Sequence, residues 1–236
     1  MEQDNPEGES GRPVVLIPAY NPGSRLVDLV EALAAVFPRI VVVDDGSETG
    51  LDAIERVGRI VEKVLRHPSN RGKGAAIKTG LAYIGEADVI TADADGQHAP
   101  ADIVKIADAL KAHRDGLVLG VRDIGRDMPL RSRFGNFWTR IWFFVFAGLW
   151  VNDTQTGLRG IPASLVRRVA SLPGERYEYE MTMLADARNH PSRPFEVRIK
   201  TLYFDGNSAS HFNPLMDTVR IYRALVFSRF ANRRTK

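Results

Sequence analysis

Between residues 14 and 121, short unbroken apolar runs alternate with segments whose apolar residues recur at helical spacing. Val14-Val15-Leu16-Ile17, Ile40–Val43, part of Arg59–His67, Val89–Ala92 and Leu117–Val121 read as strands. Arg25–Phe37, Leu51–Gly58, Gly74–Gly85 and Ala101–Ala112 read as helices. The first helix carries Leu26, Leu29, Val30, Leu33 and Val36 on one face and stops before Pro38. A strand that is apolar at every position is covered on both faces, and strands separated by crossover helices run parallel. The pattern predicts a mostly parallel, Rossmann-like α/β sheet flanked by helices. Ligands of such sheets lie beyond the carboxyl ends of the strands, and the unusual polar clusters of this sequence fall there. After about residue 122 the alternation weakens and the chain becomes rich in arginine and aromatics.

Composition narrows the class further. With 236 residues, 44% hydrophobic and 26% charged, the chain suits one large domain or two small ones and excludes extensive disorder, a fibre or a coiled-coil rod. The absence of cysteine excludes a disulfide scaffold, a thiol nucleophile, an iron–sulfur centre and cysteine-ligated zinc. A net charge of +3 is too small to indicate a nucleic-acid binder, but the charge is unevenly spread. Residues 1–12 begin with Glu2, Asp4, Glu7 and Glu9 and are expected to be disordered. Residues 216–236 carry Arg220, Arg223, Arg229, Arg233, Arg234 and Lys236 among Ile221, Tyr222, Leu225, Val226, Phe227 and Phe230. That tail reads as a basic amphipathic helix for an anionic surface, and equally as a surface helix packed on its own domain. No secretory leader is visible, and the longest apolar run, Ile141 to Val151, is short of the ~20 residues of a spanning helix.

Four clusters carry chemistry. Asp93-Ala94-Asp95-Gly96-Gln97-His98 follows an apolar strand directly. Carboxylates two residues apart repel unless a cation or donor lies between them, and hard oxygen ligands of this kind suit Mg²⁺ or Mn²⁺ carrying a diphosphate. An acidic turn rich in Asp and Gly is the plain alternative. Asp44-Asp45-Gly46-Ser47 closes a neighbouring strand and offers acceptors for a nucleobase N–H or a ribose hydroxyl, although Asp-Gly is also a common turn. Pro18-Ala19-Tyr20-Asn21 adds an aromatic suited to stacking, or a simple capping turn. Asn70-Arg71-Gly72-Lys73-Gly74 brings cations and glycines to a helix start, where Lys73 and backbone N–H groups favour phosphate. It has neither P-loop nor dinucleotide-fingerprint spacing, which argues against an ATPase and an NAD-dependent dehydrogenase.

In this order, and with Asp153-Thr154-Gln155-Thr156-Gly157-Leu158-Arg159-Gly160 added, the sequence resembles family 2 glycosyltransferases over roughly residues 13–215. Within that family it is most similar to the dolichyl- and polyprenyl-phosphate mannose or glucose synthases. The resemblance implies a GT-A fold with a nucleotide-binding half (13–121) and an acceptor half (122–215). It implies that Pro18, Tyr20 and Asp45 line the nucleoside pocket and that Lys73 lies on the donor side. Asp93, Ala94 and Asp95 would form the Asp-x-Asp site, with Gln97 as a further ligand of Mg²⁺ or Mn²⁺. Arg122 would meet acceptor or donor phosphate, Arg131 and Arg133 would belong to a loop closing over the site, and Asp153 would stand near the sugar. Two departures stand out. Pro22 occupies a position where the relatives carry a glutamate, and Tyr203–Phe212, with His211, replaces their late Arg-x-x-Gly-x-Ser-Lys segment.

The resulting expectation is an inverting, metal-dependent hexosyltransferase that takes a UDP- or GDP-sugar. A hydroxyl acceptor requires a general base, for which Asp153 and Glu180 are candidates, whereas a phosphate acceptor requires cations instead. Arg122, Arg126, Arg131, Arg133 and Arg140 against Asp123 and Asp127 favour a polyprenyl phosphate or another lipid-linked acceptor. Phe134 to Trp150 reads as a membrane-interface segment, with Trp138, Trp142 and Trp150 near headgroups, or as a buried helix. The expected location is cytoplasmic, peripheral on the cytoplasmic face of the membrane. A glycan or glycolipid hydroxyl acceptor, a sugar-1-phosphate nucleotidyltransferase and a non-catalytic membrane adaptor are the alternatives. The nucleotidyltransferase is disfavoured because Pro18–Pro22 is not a Gly-rich basic loop. The adaptor is disfavoured because Asp93 and Asp95 are both present.

Overall fold

The computed structural model describes residues 11–122, 140–190 and 192–200. One sheet contains β1 (Val14–Ala19), β2 (Ile40–Asp44), β3 (Lys63–Arg66), β4 (Val89–Thr91), β5 (Val118–Arg122), β6 (Arg159–Ile161) and β7 (Phe195–Ile199). The helices are α1 (Ser24–Ala34), α2 (Leu51–Val57), α3 (Lys73–Ile84), α4 (Pro100–Ala112), α5 (140–147), α6 (Ala163–Ala170) and α7 (Glu178–Ala187). Every strand and helix expected before residue 122 is present. Among the described residues, no helix is long and apolar enough to cross a membrane.

The strand order is β3-β2-β1-β4-β6-β5-β7. All pairings are parallel except those of β6, which runs antiparallel to β4 and to β5. The central strands β1, β2 and β4 are buried at every position, as their continuous apolar runs require. Successive residues of β1 point to opposite faces. Val14 and Leu16 join a core with residues of α3, α5, α6 and α7, while Val15 and Ile17 join one with residues of α1, α2 and α4. The edge strands β3 and β7 carry charged, partly exposed positions, a pattern that discourages edge-to-edge pairing.

The antiparallel β6 and the edge strand β7 were not expected from the sequence. β6 spans three residues and includes a charged Arg159 and a Gly160, so it lacks an apolar run. β7 reads Phe-Glu-Val-Arg-Ile, the alternation of a half-exposed edge rather than a buried parallel strand.

From β1 the chain moves outward through β2 and β3, then returns to place β4 on the other side of β1. This reversal is a topological switch point, where open α/β sheets hold ligands. The β1–β4 register ends at Leu16–Thr91, closed by Ala92 N donating to Leu16 O at 3.0 Å. Pro18, two residues on, has no N–H to extend that ladder. The chain after β4 therefore leaves the sheet as a loop at the mouth of the switch point.

α3 lies close against β1 because Gly80 has no side chain. A Cβ at Gly80 would come within 2.2 Å of Leu16 Cδ1 and 2.8 Å of its Cδ2. Helix propensity alone would make Gly80→Ala stabilising by about 1 kcal/mol. Leu16 is fully buried in the central strand, so overpacking of about 1–3 kcal/mol should win. Urea denaturation of Gly80→Ala is expected to give a net loss of stability.

Candidate active site

Two loops at the carboxyl ends of β1 and β2 are tied together by Asn21. Its backbone adopts φ +48°, a left-handed conformation that asparagine tolerates better than most residues. Asn21 N donates to Ser47 Oγ at 2.8 Å, and Asn21 Oδ1 accepts from Glu48 N and Thr49 N at 2.9 and 3.0 Å. Asp44, fully buried, accepts from Ser47 N at 2.9 Å and stands 3.1 Å from Arg66 Nε.

The Asp45 carboxylate is committed inside the protein. Oδ1 accepts from Arg71 N at 2.9 Å and lies 2.6 Å from His67 Nδ1, while Oδ2 accepts from Gly72 N at 2.7 Å. His67 Nε2 lies 2.9 Å from Thr79 Oγ1 on α3. Asp45 thus fixes the backbone that opens α3, and His67 locks its orientation. His67 has no local sequence signal for this role, since its partners are 22 and 12 residues away.

Lys73, the first residue of α3, sends its ammonium into the crevice. Nζ stands 2.6 Å from Asp93 Oδ1 and 3.0 and 3.1 Å from the two oxygens of Glu180 on α7. Burial opposes the charge of Lys73, but Asp93 and Glu180 outweigh it and hold the ammonium above its ordinary value. Burial likewise works against ionisation of Asp93, yet Lys73 and then His98 keep its carboxyl well below the usual carboxylate range. His98 Nε2 is 3.5 Å from Asp93 Oδ2, with the imidazole buried.

Close approach of the chain supports this arrangement. A Cβ at Gly157 would sit 2.2 Å from Asp93 Oδ2, so only glycine leaves room for the carboxylate there. Thr91 Oγ1 donates to Gly157 O at 2.9 Å, pinning the two segments together. Two residues on, Arg159 is completely buried beneath the site. Its Nε donates to Thr156 O at 2.9 Å and its Nη1 to Glu180 O at 2.5 Å. Burial lowers its pKa from the ordinary value, while Glu180, Asp153 and Asp93 oppose that.

Asp95 has a different environment. Its Oδ1 accepts from Gln97 N at 2.9 Å, and it pairs with no cation among the described residues. Burial, then the neighbouring Asp93 charge, push its carboxyl up. Two carboxylates two residues apart therefore shift in opposite directions. Among the described residues no cluster of three His, Asp or Glu side chains is arranged to hold a metal ion. The residues nonetheless fit one divalent cation, because Asp95 is a partly buried carboxylate with no ion-pair partner among the described residues, beside a second carboxylate and Gln97.

Across the crevice Asp153, fully buried, meets Arg122 at the end of β5. Arg122 Nε donates to Oδ2 at 2.6 Å and Nη2 to Oδ1 at 3.1 Å, and Gln155 N donates to Oδ1 at 3.0 Å. Pro18 is buried in β1, and Tyr20, Ala94 and Gln97 are half-buried at the carboxyl edge. The sheet and its loops thus bring Pro18, Tyr20, Asp45, Lys73, Asp93, Ala94, Asp95, Gln97, Arg122 and Asp153 to one edge. Asp123, Arg126, Asp127, Arg131, Arg133, Trp138, Tyr203–Phe212 with His211, and the 216–236 tail lie outside the described residues. So does all but the end of the 1–12 segment.

With this geometry in place, comparison with known proteins identifies the class. Residues 14–170 match the family described as Glycosyl transferase family 2, and the chain belongs to that family. It is 31% identical over 236 residues to the UDP-N-acetylglucosamine–dolichyl-phosphate N-acetylglucosaminyltransferase of Methanococcus voltae, covering 90% of this chain and 94% of that protein. It is 27% identical over 207 residues to the polyprenol monophosphomannose synthase of Mycolicibacterium smegmatis, covering 80% of this chain and 76% of that one. The fold matches glucosyl-3-phosphoglycerate synthase from Mycobacterium tuberculosis, crystallised with Mn²⁺, UDP and glucosyl-3-phosphoglycerate. That TM-score is 0.66 at 18% identity, over 94% of this chain and 80% of that one. The architecture is the GT-A fold, as the sequence motifs implied.

The opposite shifts of Asp93 and Asp95 give a test in chelator. A carboxyl whose pKa falls on folding contributes stability above its unfolded value and loses it as pH drops through the folded value. A carboxyl whose pKa rises costs stability once the pH exceeds the unfolded value. At pH 7, Asp93→Asn is expected to lose about 2 kcal/mol with its ion pair weakened. Asp95→Asn is expected to raise the melting temperature, and that gain should vanish below about pH 4. Melting curves of both variants from pH 3 to 8 check the signs.

Proposed function

We propose that this chain transfers a sugar from a UDP- or GDP-sugar to a polyprenyl phosphate at a membrane surface, inverting the anomeric centre. Residues 13–121 carry the donor and residues 122–215 the acceptor. The observation that carries the acceptor assignment is the engagement of both candidate bases. Asp153 is held by Arg122 through both oxygens, and Glu180 is held by Lys73. A hydroxyl acceptor needs a free base, whereas a phosphate is already anionic at neutral pH and needs none.

In this reading Tyr20 and Pro18 form the apolar wall of the nucleoside pocket, and Asp45 shapes it by holding the backbone of Arg71 and Gly72. Asp95, with Asp93 and Gln97 beside it, would hold Mg²⁺ or Mn²⁺, which supplies positive charge to the departing diphosphate. A phosphate oxygen of the acceptor attacks the anomeric carbon from the face opposite the leaving group. The new C–O bond forms as the bond to the nucleoside diphosphate breaks, and no proton need move at the acceptor. Arg122 orients the acceptor side, with Arg131 of the neighbouring segment as a second cation.

A surface suited to the lipid adjoins this side. Phe143 and Ala147 of α5 are buried in the core, while Trp142, Phe144, Val145 and Trp150 are 42–51% exposed. Arg140 lies over the Trp150 ring at 5.0 Å, and residues 140–151 contain no acid. Large apolar side chains beside indoles and an arginine suit the headgroup region of a bilayer. The relatives named for dolichyl- and polyprenol-phosphate chemistry support the same acceptor class.

Two measurements test this. Thermal stability with UDP, GDP, CDP and ADP, with and without Mn²⁺, should show a metal-dependent rise for one nucleotide, about 2.7 kcal/mol at 100 times its dissociation constant. The rise should be absent in Asp95→Ala. Radiolabelled sugar should then reach a polyprenyl phosphate and not the matching polyprenol, and equal transfer to both would overturn the phosphate assignment. Separately, Trp142→Ser with Phe144→Ser is expected to reduce co-sedimentation with anionic vesicles several-fold while leaving nucleotide binding intact. Unchanged co-sedimentation would remove this ledge from the membrane reading.

A further inference from the structure

The Lys73 ammonium stands directly against Asp93, the first carboxylate of the Asp-x-Asp segment. Asp93 Oδ1 faces Lys73 at 2.6 Å, and Oδ2 faces the Gly157 backbone and His98. Asp93 therefore already has an ammonium on one oxygen and an imidazole 3.5 Å from the other. Glu180 holds Lys73 in place from the far side at 3.0 and 3.1 Å, and the Glu180 backbone carbonyl is itself fixed by Arg159. If Lys73 swung away, Asp93 and Glu180 would lose the one ammonium that both of them contact, in a largely buried place.

We propose that Lys73 is an internal counter-cation that competes with divalent metal for Asp93, so that without a diphosphate the crevice offers metal only the Asp95 carboxylate and neutral donors. This rests on the reading that Asp95 holds a divalent cation for a nucleotide-sugar donor. The physical reason lies in ligand charge, since affinity for hard cations rises with the number of free carboxylates in the site. One carboxylate with a backbone-anchored turn binds Mn²⁺ weakly. Two carboxylates, both free, hold it whether or not a donor is present. With Lys73 on Asp93, the remaining negative ligands come from the diphosphate, so metal retention becomes coupled to donor occupancy. Lys73 is in this sense a positioning residue: it acts on the metal through Asp93.

The measurement is Mn²⁺ binding to the full chain by loss of the free-ion electron paramagnetic resonance signal, with and without UDP and GDP. Wild type is expected to bind Mn²⁺ weakly alone and about tenfold or more tightly with the preferred nucleotide. Lys73→Met is expected to bind Mn²⁺ without nucleotide about tenfold or more tightly than wild type. Lys73→Arg should stay near wild type, and Lys73→Met with Asp93→Asn should lose the gain. Loss of a packing contact does not raise metal affinity, so the gain separates this role from a structural one. If Lys73→Met does not fold, Lys73→Met with Glu180→Gln removes the second buried carboxylate and carries the same expectation.

If wild type retains Mn²⁺ with nucleotide but the unmasked variants bind Mn²⁺ alone no better than wild type, the Lys73 role is overturned and the metal reading stands. If wild type binds Mn²⁺ alone as tightly as with nucleotide, Lys73 does not mask Asp93. If wild type binds Mn²⁺ neither alone nor with any nucleotide, the donor-site reading itself fails.

Discussion

The ion pair between Lys73 and Asp93 joins parts of the chain that belong to different layers. Lys73 begins α3, Asp93 follows β4, and Glu180, which completes the contact, lies in the first turn of α7. These elements converge because α3 and α7 pack on the same face of the sheet, and because β4 is the strand next to the switch point. The charges are placed where the sheet architecture opens a crevice. An ion pair in such a place costs desolvation on both sides, and removing one partner costs more than the pair contributes. Its observed form, one ammonium shared by two carboxylates over a buried guanidinium, offsets much of that cost. It also makes this part of the crevice sensitive to any change at Lys73.

The surrounding loops follow a different logic. Asn21, Ser47, Asp44 and Asp45 are satisfied largely by backbone N–H groups, so the β1 and β2 loops are fixed by hydrogen bonds rather than by long-range charge. Loops built this way are held in place before any ligand arrives and leave little conformational entropy for binding to remove. Asp45 illustrates the distinction between lining a pocket and binding in it. Its two oxygens are used by Arg71, Gly72 and His67, so its contribution is to hold the 71–72 backbone at the N-terminus of α3, where phosphate is favoured.

Much of the chain before residue 122 was legible because its signals are local. Continuous apolar runs such as Val14–Ile17 and Ile40–Val43 can be buried only in a doubly covered sheet, and the acids that end the runs mark the carboxyl edge. The chain beyond residue 122 was less legible. β6 is short and carries Arg159, whose charge argues against a strand until its partners Thr156 and Glu180 are seen. The pairing of Lys73 with Glu180 spans 107 residues and leaves no periodic trace. The packing reason for Gly157 could not be read either, because nothing in the sequence says that Asp93 Oδ2 would meet a side chain there. Short-range pattern reports burial and period, while charge pairing across layers is a property of the assembled sheet.

Charge balance links the two sides of the crevice. Lys73, Arg122 and Arg159 stand among Asp93, Glu180, Asp153 and Asp95. Lys73 answers Asp93 and Glu180 together, Arg122 answers Asp153 through two parallel hydrogen bonds, and buried Arg159 lies close enough to Glu180, Asp153 and Asp93 to feel all three. The carboxylate left without a cation among the described residues is Asp95, at the point where the chain leaves β4. A group that is partly buried, charged and unmatched costs stability in the free protein, and such a cost persists in a fold when a ligand later removes it. The bidentate pair engages both Asp153 oxygens, so at the end of β5 one guanidinium and one carboxylate answer each other. Taken together these groups leave the crevice one carboxylate in excess, and the divalent cation proposed at Asp95 would supply the charge that reverses that balance.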